Sequence, residues 1–243
     1  MAILPVLDIL EGEVVRGKQG DRESYRPVNS DIVDSSNPFD VAEKIKELFG
    51  FEKFYVADLD SIMGKGDNYS ILKKLSTDKG LDLAVDSGIG DTKELMGNLD
   101  YLKHFERVIF GTESIKSMEF VENALNILGE DKVVVSIDVE DSEVISSSDK
   151  SFKSVKGAVQ VFREIGVKKF ILLDIKRVGS FSGVNNALKE VVNEFEEEDV
   201  DFITGGGVRD ISDVEEFVRS GFSEILVASA LHNKSITRED ICE

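Results

Sequence analysis

Short apolar, β-branched runs alternate along the chain with amphipathic stretches of helical period. The runs are Ile3–Ile9, Lys53–Asp58, Leu81–Asp86, Arg107–Phe110, Val133–Asp138, Lys169–Asp174, Val200–Thr204 and Glu224–Val227. Between them the spacing predicts helices at about 38–49, 68–76, 91–98, 117–128, 153–166, 184–197 and 210–220, with a short last piece near 230–238. Pro38 suits a helix start, where its fixed φ and missing donor cost nothing. The runs are apolar almost throughout, as strands covered on both faces should be. Strict strand–helix alternation predicts a parallel sheet with right-handed crossovers.

Eight such units either close into a barrel or form an open sheet, and an internal repeat decides between them. Ile3–Val15 (ILPVLDILEGEVV) aligns without a gap on Val133–Ile145 (VVVSIDVEDSEVI), placing Asp8 on Asp138. Phe54–Asp58 matches Phe170–Asp174, Gly88–Asp91 matches Gly207–Asp210, and Val108–Ile115 matches Ile225–His232, all in the same order. This is the signature of a duplicated (βα)4 unit. The expected architecture is α/β, a single (β/α)8 TIM barrel over residues 1–243, made of two repeated half-barrels at about 1–130 and 131–243. The first half carries extra residues, about Gly17 to Asn37, without helical period; long βα loops of barrels often serve as active-site lids.

The chain has 243 residues, near the size of one complete barrel. Its formal net charge is −19, a field that repels nucleic acid and anionic membrane surfaces, so neither is expected as a partner. Most of that acidity, including the run Glu194 to Asp199, reads as a solvated surface. Cys242 is the one cysteine, which excludes an internal disulfide and points to a reduced, cytoplasmic setting. His104 and His232 stand in no metal-ligand spacing, so no metal site is expected, and His232 and Cys242 read as structural or incidental. No stretch has the length of a membrane span, and the apolar start has Asp8 inside it and no basic region before it.

In an α/β barrel the working residues lie at the C-terminal strand ends. Asp8 and Asp138 end the first and fifth strands, on opposite sides of an eight-strand ring. Two facing carboxylates suit a general acid and a general base acting on two ends of one substrate. The plainer alternative is that each caps its strand or pairs with a lysine. Thr204, Gly205, Gly206 and Gly207 follow the seventh strand and precede a helix near Asp210, an arrangement in which backbone amides can approach an anion. Ala228 and Ser229 after the eighth strand would complete a phosphate site there. Ser87 and Gly88 after the third strand, with Gly111 and Thr112 after the fourth, form the counterpart, although Asp86 adds unwanted negative charge beside it. Two such sites predict a substrate with a phosphate at each end; the alternative is that the glycines only make tight turns. Arg16 and Lys18 are further candidates to hold phosphate or orient Asp8. Asp58 and Asp174, repeat-related, suit a shared structural role such as bonding loop N–H groups at least as well as catalysis.

The segments ILPVLDILEGEVVRGKQGD (3–21), VADLD, VDSGIGD, FGTES, SIDVEDSEVI, GSFSGVN, ITGGGVRD and ASAL together resemble the histidine-biosynthesis barrels, the HisA/HisF family. That family comprises phosphoribosylformimino-AICAR ribotide isomerase and the cyclase subunit of imidazole glycerol phosphate synthase. The resemblance covers essentially the whole chain. It implies duplicated half-barrels, paired aspartates and a bisphosphorylated substrate, with no cofactor or metal; cyclase barrels of the family act with a glutaminase partner, and no feature of this chain requires an obligatory protein partner. Arg16 favours the isomerase side, where the cyclase has lysine. Carried over, Asp8 is the general base and Asp138 the general acid of an Amadori-type aldose–ketose isomerisation. The chain departs from the family isomerase at Leu173 in place of threonine, at Val178-Gly179 in place of Asp-Gly, and in the polar loop 146–153. It has no tryptophan, and its third-strand loop lacks the usual double glycine and basic residue. These departures leave open a related enzyme with a different phosphorylated substrate, and a non-catalytic phosphate-binding barrel.

Overall fold

The computed structural model describes residues 2–17, 24–140, 143–147, 152, 154–183 and 185–242. Eight strands form the frame: β1 (Ile3–Leu10), β2 (Lys53–Asp58), β3 (Asp82–Asp86), β4 (Arg107–Gly111), β5 (Val133–Glu140), β6 (Lys169–Asp174), β7 (Asp201–Gly205) and β8 (Glu224–Val227). Each pairs in parallel with the next. The last pairs with the first, Ile3 opposite Ile225, Leu4 opposite Leu226 and Pro5 opposite Val227. The sheet therefore closes into a (β/α)8 barrel, and no barrel strand keeps an open edge.

Period-two alternation sorts each strand into two packing environments. Outward residues such as Leu7, Ile9, Phe54, Val56, Val135, Ile137 and Phe170 belong to the large core between strands and helices. Inward residues Leu4, Ala84, Ile109, Val134, Ile171, Ile203 and Leu226 fill the barrel. A fully buried Phe54 or Phe170 stabilises the fold by about 2–3 kcal/mol through its transfer from water. Climbing β1 on the inner face gives Leu4, Val6, Asp8; climbing β5 gives Val134, Ser136, Asp138. The interior thus turns from apolar to polar toward the C-terminal strand ends. At the other end, Arg107 at the start of β4 reaches Glu224 at the start of β8, a two-pronged ion pair that plugs the floor.

Besides single helical turns at Leu59–Ile62 and Ser229–His232, the helices are α1 (Pro38–Phe49), α2 (Tyr69–Thr77), α3 (Thr92–Leu102), α4 (Met118–Leu128), α5 (Val155–Glu164), α6 (Asn186–Glu194), α7 (Ile211–Arg219) and α8 (Arg238–Cys242). Their starts follow local chemistry. Asn37, Asp91, Ser117, Ser154, Asn185 and Asp210 each cap a helix by accepting a first-turn N–H. The sequence pattern ends α3 near residue 98, at Gly97-Asn98, yet the helix runs on to Leu102. Leu95, Leu99 and Leu102 continue one apolar face into the core, and their burial outweighs the cost of about 1 kcal/mol for an interior glycine. The short last piece is two turns of helix, Ser229–His232 and α8.

Strand also forms beyond the barrel frame, just before the long first loop and, at Arg26–Pro27, within it. Glu13–Arg16 folds back antiparallel on β1, with Asp8 opposite Val15, and Arg26–Pro27 pairs with it in turn. The reversal is a two-residue turn at Glu11 and Gly12, both at positive φ (53° and 82°), the hairpin geometry that matches strand twist. Glu11 is held in that strained conformation by its amide donating to Asp60 Oδ2 at 2.7 Å. Glu143–Val144 makes a smaller antiparallel return on β5. β1 and β5 both project past the barrel rim, and the projecting edges are what these segments pair with.

Candidate active site

A cavity of about 640 Å³ opens at the C-terminal ends of the strands, within the usual size for a small-molecule site. Asp8 and Asp138 both line it. Asp138 accepts a hydrogen bond from Ser136 Oγ at 2.9 Å, one inward step below it on β5. Asp8 lies under the first loop. A side-chain carbon at Gly17 would fall 2.8 Å from Asp8 Oδ2, so only glycine lets the chain pass this close over the carboxylate. Half-buried Tyr55, on β2, projects into the barrel. Burial pushes its hydroxyl well above the usual phenol range, and the carboxylates of Asp86, Asp8, Asp138 and Glu113 add to the shift. Its hydroxyl therefore keeps its proton at neutral pH.

The loop after β7 is shaped for close approach to a ligand. Gly206 (φ 83°) and Gly207 (φ 78°) take the left-handed conformation, and both line the cavity with Val208. Added side chains would meet Val178 N at 3.3 Å and Gly183 O at 3.0 Å, respectively. Gly205 lies within the strand, pressed against Leu226, and Thr204 is wholly buried, donating to Leu172 O at 2.8 Å. The amides of Gly207 and Val208 have no acceptor among the described residues, while Gly206 directly follows the sheet pair Gly205–Leu226. Ala228 and Ser229 face the same end of the cavity from β8. Beside them His232 hydrogen-bonds through Nδ1 to Ser30 Oγ at 2.9 Å, and its carbonyl accepts from Asp31 N at 2.8 Å, tying the first loop to this rim. Burial, then the positive charge of Arg16, pulls the His232 pKa down to about 4, so the ring is neutral at physiological pH. Arg16 also lines the cavity and sits 5.8 Å from the Phe181 ring centroid, a cation–π contact.

The loops after β3 and β4 are built differently. Ser87, Gly88, Gly111 and Thr112 are not among the cavity-lining residues. Gly88 packs on Ile62, whose Cα an added side-chain carbon would meet at 2.8 Å, and its amide donates to Asp86 Oδ1 at 3.0 Å. Thr112 is buried: its amide donates to Ser136 O and its hydroxyl to Ile145 O. What these loops present to the cavity is Asp86 and Glu113.

Asp58 and Asp174 organise loops. Asp58 is wholly buried and accepts from Ser61 N, Asn68 N and Asn68 Nδ2 at 3.2, 2.8 and 2.8 Å. Asp174 accepts from Lys176 N, Arg177 Nε and Asn185 Nδ2. Lys18, named with Arg16 as an anion-holding candidate, and most of the polar loop 146–153 lie outside the described residues. Sequence reasoning missed Tyr55, Glu113, Glu140 and Phe181, and took His232 as incidental, although all five line the cavity. For Tyr55 a signal existed, since period two puts it on the inner face with Ala57. Among the described residues no group of three or more His, Cys, Asp or Glu side chains is placed to hold a metal, and no helix is long and apolar enough to cross a membrane.

Comparison with known proteins adds to this geometry. A family model described as "Histidine biosynthesis protein" matches residues 2–237. An uncharacterized protein of Methanocaldococcus jannaschii is 33% identical over 242 residues, covering 99% of this chain and 97% of the relative. The 1-(5-phosphoribosyl)-5-((5-phosphoribosylamino)methylideneamino) imidazole-4-carboxamide isomerase of Leuconostoc mesenteroides is 30% identical over 248 residues, covering 99% and 98%. The isomerase of the same name from Lactococcus lactis is 29% identical over 242 residues, covering 98% and 97%.

Proposed function

The chain belongs to the histidine biosynthesis protein family, and from that membership we propose that it is an Amadori-type aldose–ketose isomerase acting on a phosphorylated ribosylamine. The observation that carries the reading is the pair of carboxylates, Asp8 and Asp138, on β1 and β5 in one cavity. Relatives along the whole chain are named as isomerases, which supports the reaction class.

In this reading the substrate phosphate sits on the amides of Gly207 and Val208, with Ala228, Ser229 and Arg16 beside it. Asp138 protonates the ribose ring oxygen. The C1–O bond breaks, and the nitrogen lone pair forms a protonated imine. Asp8 then removes the C2 proton, and the electron pair flows to the iminium nitrogen. The enolamine takes a proton back at C1 while its C2 hydroxyl loses one, leaving a ketose with C1 bonded to nitrogen. The iminium is the electron sink, and acid–base help of this kind contributes roughly 10²–10⁴-fold per group. Tyr55, protonated and central, is placed to donate to a substrate oxygen.

The test is replacement of each aspartate by asparagine. Asp8→Asn and Asp138→Asn should each abolish most turnover while inorganic phosphate still binds. Undiminished turnover in the double variant would reject the reading, and a purely phosphate-binding barrel would show no turnover to lose. A related enzyme with a different phosphorylated substrate is favoured by Leu173 and Glu113 in the cavity wall. Rescue of a histidine auxotroph lacking the isomerase would assign the family's bisphosphorylated ribotide; failure by folded, expressed protein would assign another.

A further inference from the structure

His232 lines the cavity but has no part in the reaction described above. Its repeat-equivalent in the first half is Ile115, a buried core residue, so the fold can fill this position with an apolar side chain. Packing alone does not call for an imidazole. The ring shares a helical turn with Ser229, at the end of the cavity assigned to phosphate, and lies close enough to Arg16 to feel its charge.

The contacts of the ring fix where its proton lies. Nδ1 is 2.9 Å from Ser30 Oγ, and that oxygen already accepts from Ile32 N at 3.3 Å. Were Nδ1 to donate to it as well, the Ser30 proton would have no acceptor among the described residues. Ser30 O–H donating to Nδ1 satisfies both groups and leaves the proton of the neutral ring on Nε2. Among the described residues Nε2 has no hydrogen-bond partner, yet it is not one of the buried polar side-chain atoms that lack one, which are Ser87 Oγ and Tyr101 Oη. Nε2 is therefore open, and the space it opens onto is the cavity that His232 lines.

We infer that His232 is a phosphate-binding residue: its Nε2–H donates to the phosphoryl group held by Gly207 and Val208, and Ser30 of the first loop holds the ring in the tautomer that can do so. This rests on the cavity being the substrate site of the proposed isomerase. An uncharged N–H gives a directed hydrogen bond to an anion, and Arg16 beside it supplies charge. The carbonyl of His232 also accepts from Asp31 N, so the first loop is fastened by two bonds to the residue that grips the ligand.

Long-range nitrogen–proton NMR of isotope-labelled protein tests this without any substitution. The chain has two histidines, and His104 lies between α3 and the start of β4, at the far end of the barrel from the cavity. Wild type should show His232 as the Nε2–H tautomer. Saturating inorganic phosphate should shift its Nε2 signal and leave His104 unmoved. In calorimetric titration His232→Leu should weaken phosphate binding by roughly tenfold or more. His232→Gln, whose amide keeps an acceptor for Ser30 and a donor for phosphate, should recover most of that loss. An Nδ1–H tautomer, a His232 ring unmoved while calorimetry shows phosphate bound, or wild-type affinity in His232→Leu would each overturn the inference and leave the proposed isomerase standing. Failure of the wild type to bind phosphate at all would overturn the phosphate end itself, and this inference with it.

Discussion

His232 makes the stability of this protein depend on pH between about pH 6.5 and 4. The ring is 6% exposed, its Nδ1 bonds Ser30 Oγ, and its pKa falls from 6.5 to about 4, first through burial and then through Arg16. Between those two values the unfolded chain binds a proton that the folded chain refuses. Stability from this group is therefore complete above about pH 6.5 and is lost as pH falls toward 4. One pH unit in that window is worth about 1.4 kcal/mol, so the loss is about 2 kcal/mol at pH 5 and about 3 kcal/mol at pH 4. His232→Gln keeps a polar group beside Ser30 and removes the titration. Urea denaturation of both proteins from about pH 7 down to about pH 4.5, compared as the difference between them, cancels the many carboxylates common to both. The variant should lose less stability than wild type on acidification, by about 2 kcal/mol at pH 5. Parallel pH profiles would refute the reasoning, because they would mean the folded protein accepts the proton as readily as the unfolded one.

Other consequences are open to direct measurement. Gly207→Ala forces a side chain toward Gly183 O and Ser182 Oγ at 3.0 Å in a left-handed conformation; it should destabilise by about 1–3 kcal/mol and weaken inorganic phosphate binding, read by thermal unfolding with and without phosphate. Asp58→Ala strands the amides of Ser61 and Asn68 in a buried loop, and a loss of about 2–3 kcal/mol in urea denaturation is expected, with a loss under 0.5 kcal/mol arguing against the network. Glu224→Ala leaves Arg107 without its partner at the barrel floor and should cost about 2 kcal/mol or more; because the floor is remote from the cavity, KM should be unchanged in a steady-state assay.

The alternation of strands and helices, the inward phase of residues 8 and 138, and most helix starts follow from the chain alone. Each is a local matter of period, capping chemistry and turn residues, and a parallel strand covered on both faces announces itself by an unbroken apolar run. Family resemblance was equally legible, since its motifs are contiguous. What the sequence could not decide depends on segments that meet only when the ring closes. Glu113 draws no notice in the sequence until the closed ring brings it to the cavity wall with Asp86 and bonds Thr112 to β5. His232 reads as incidental until Ser30, some two hundred residues earlier, is found against its ring. The hairpin at Glu13–Arg16 needs the projecting edge of β1, and α3 needs a core groove to carry it past Gly97. Charge and hydrogen-bond partners act across space, so which side chains meet around the cavity was decided by tertiary contacts, while the frame that holds them was written in the order of residues.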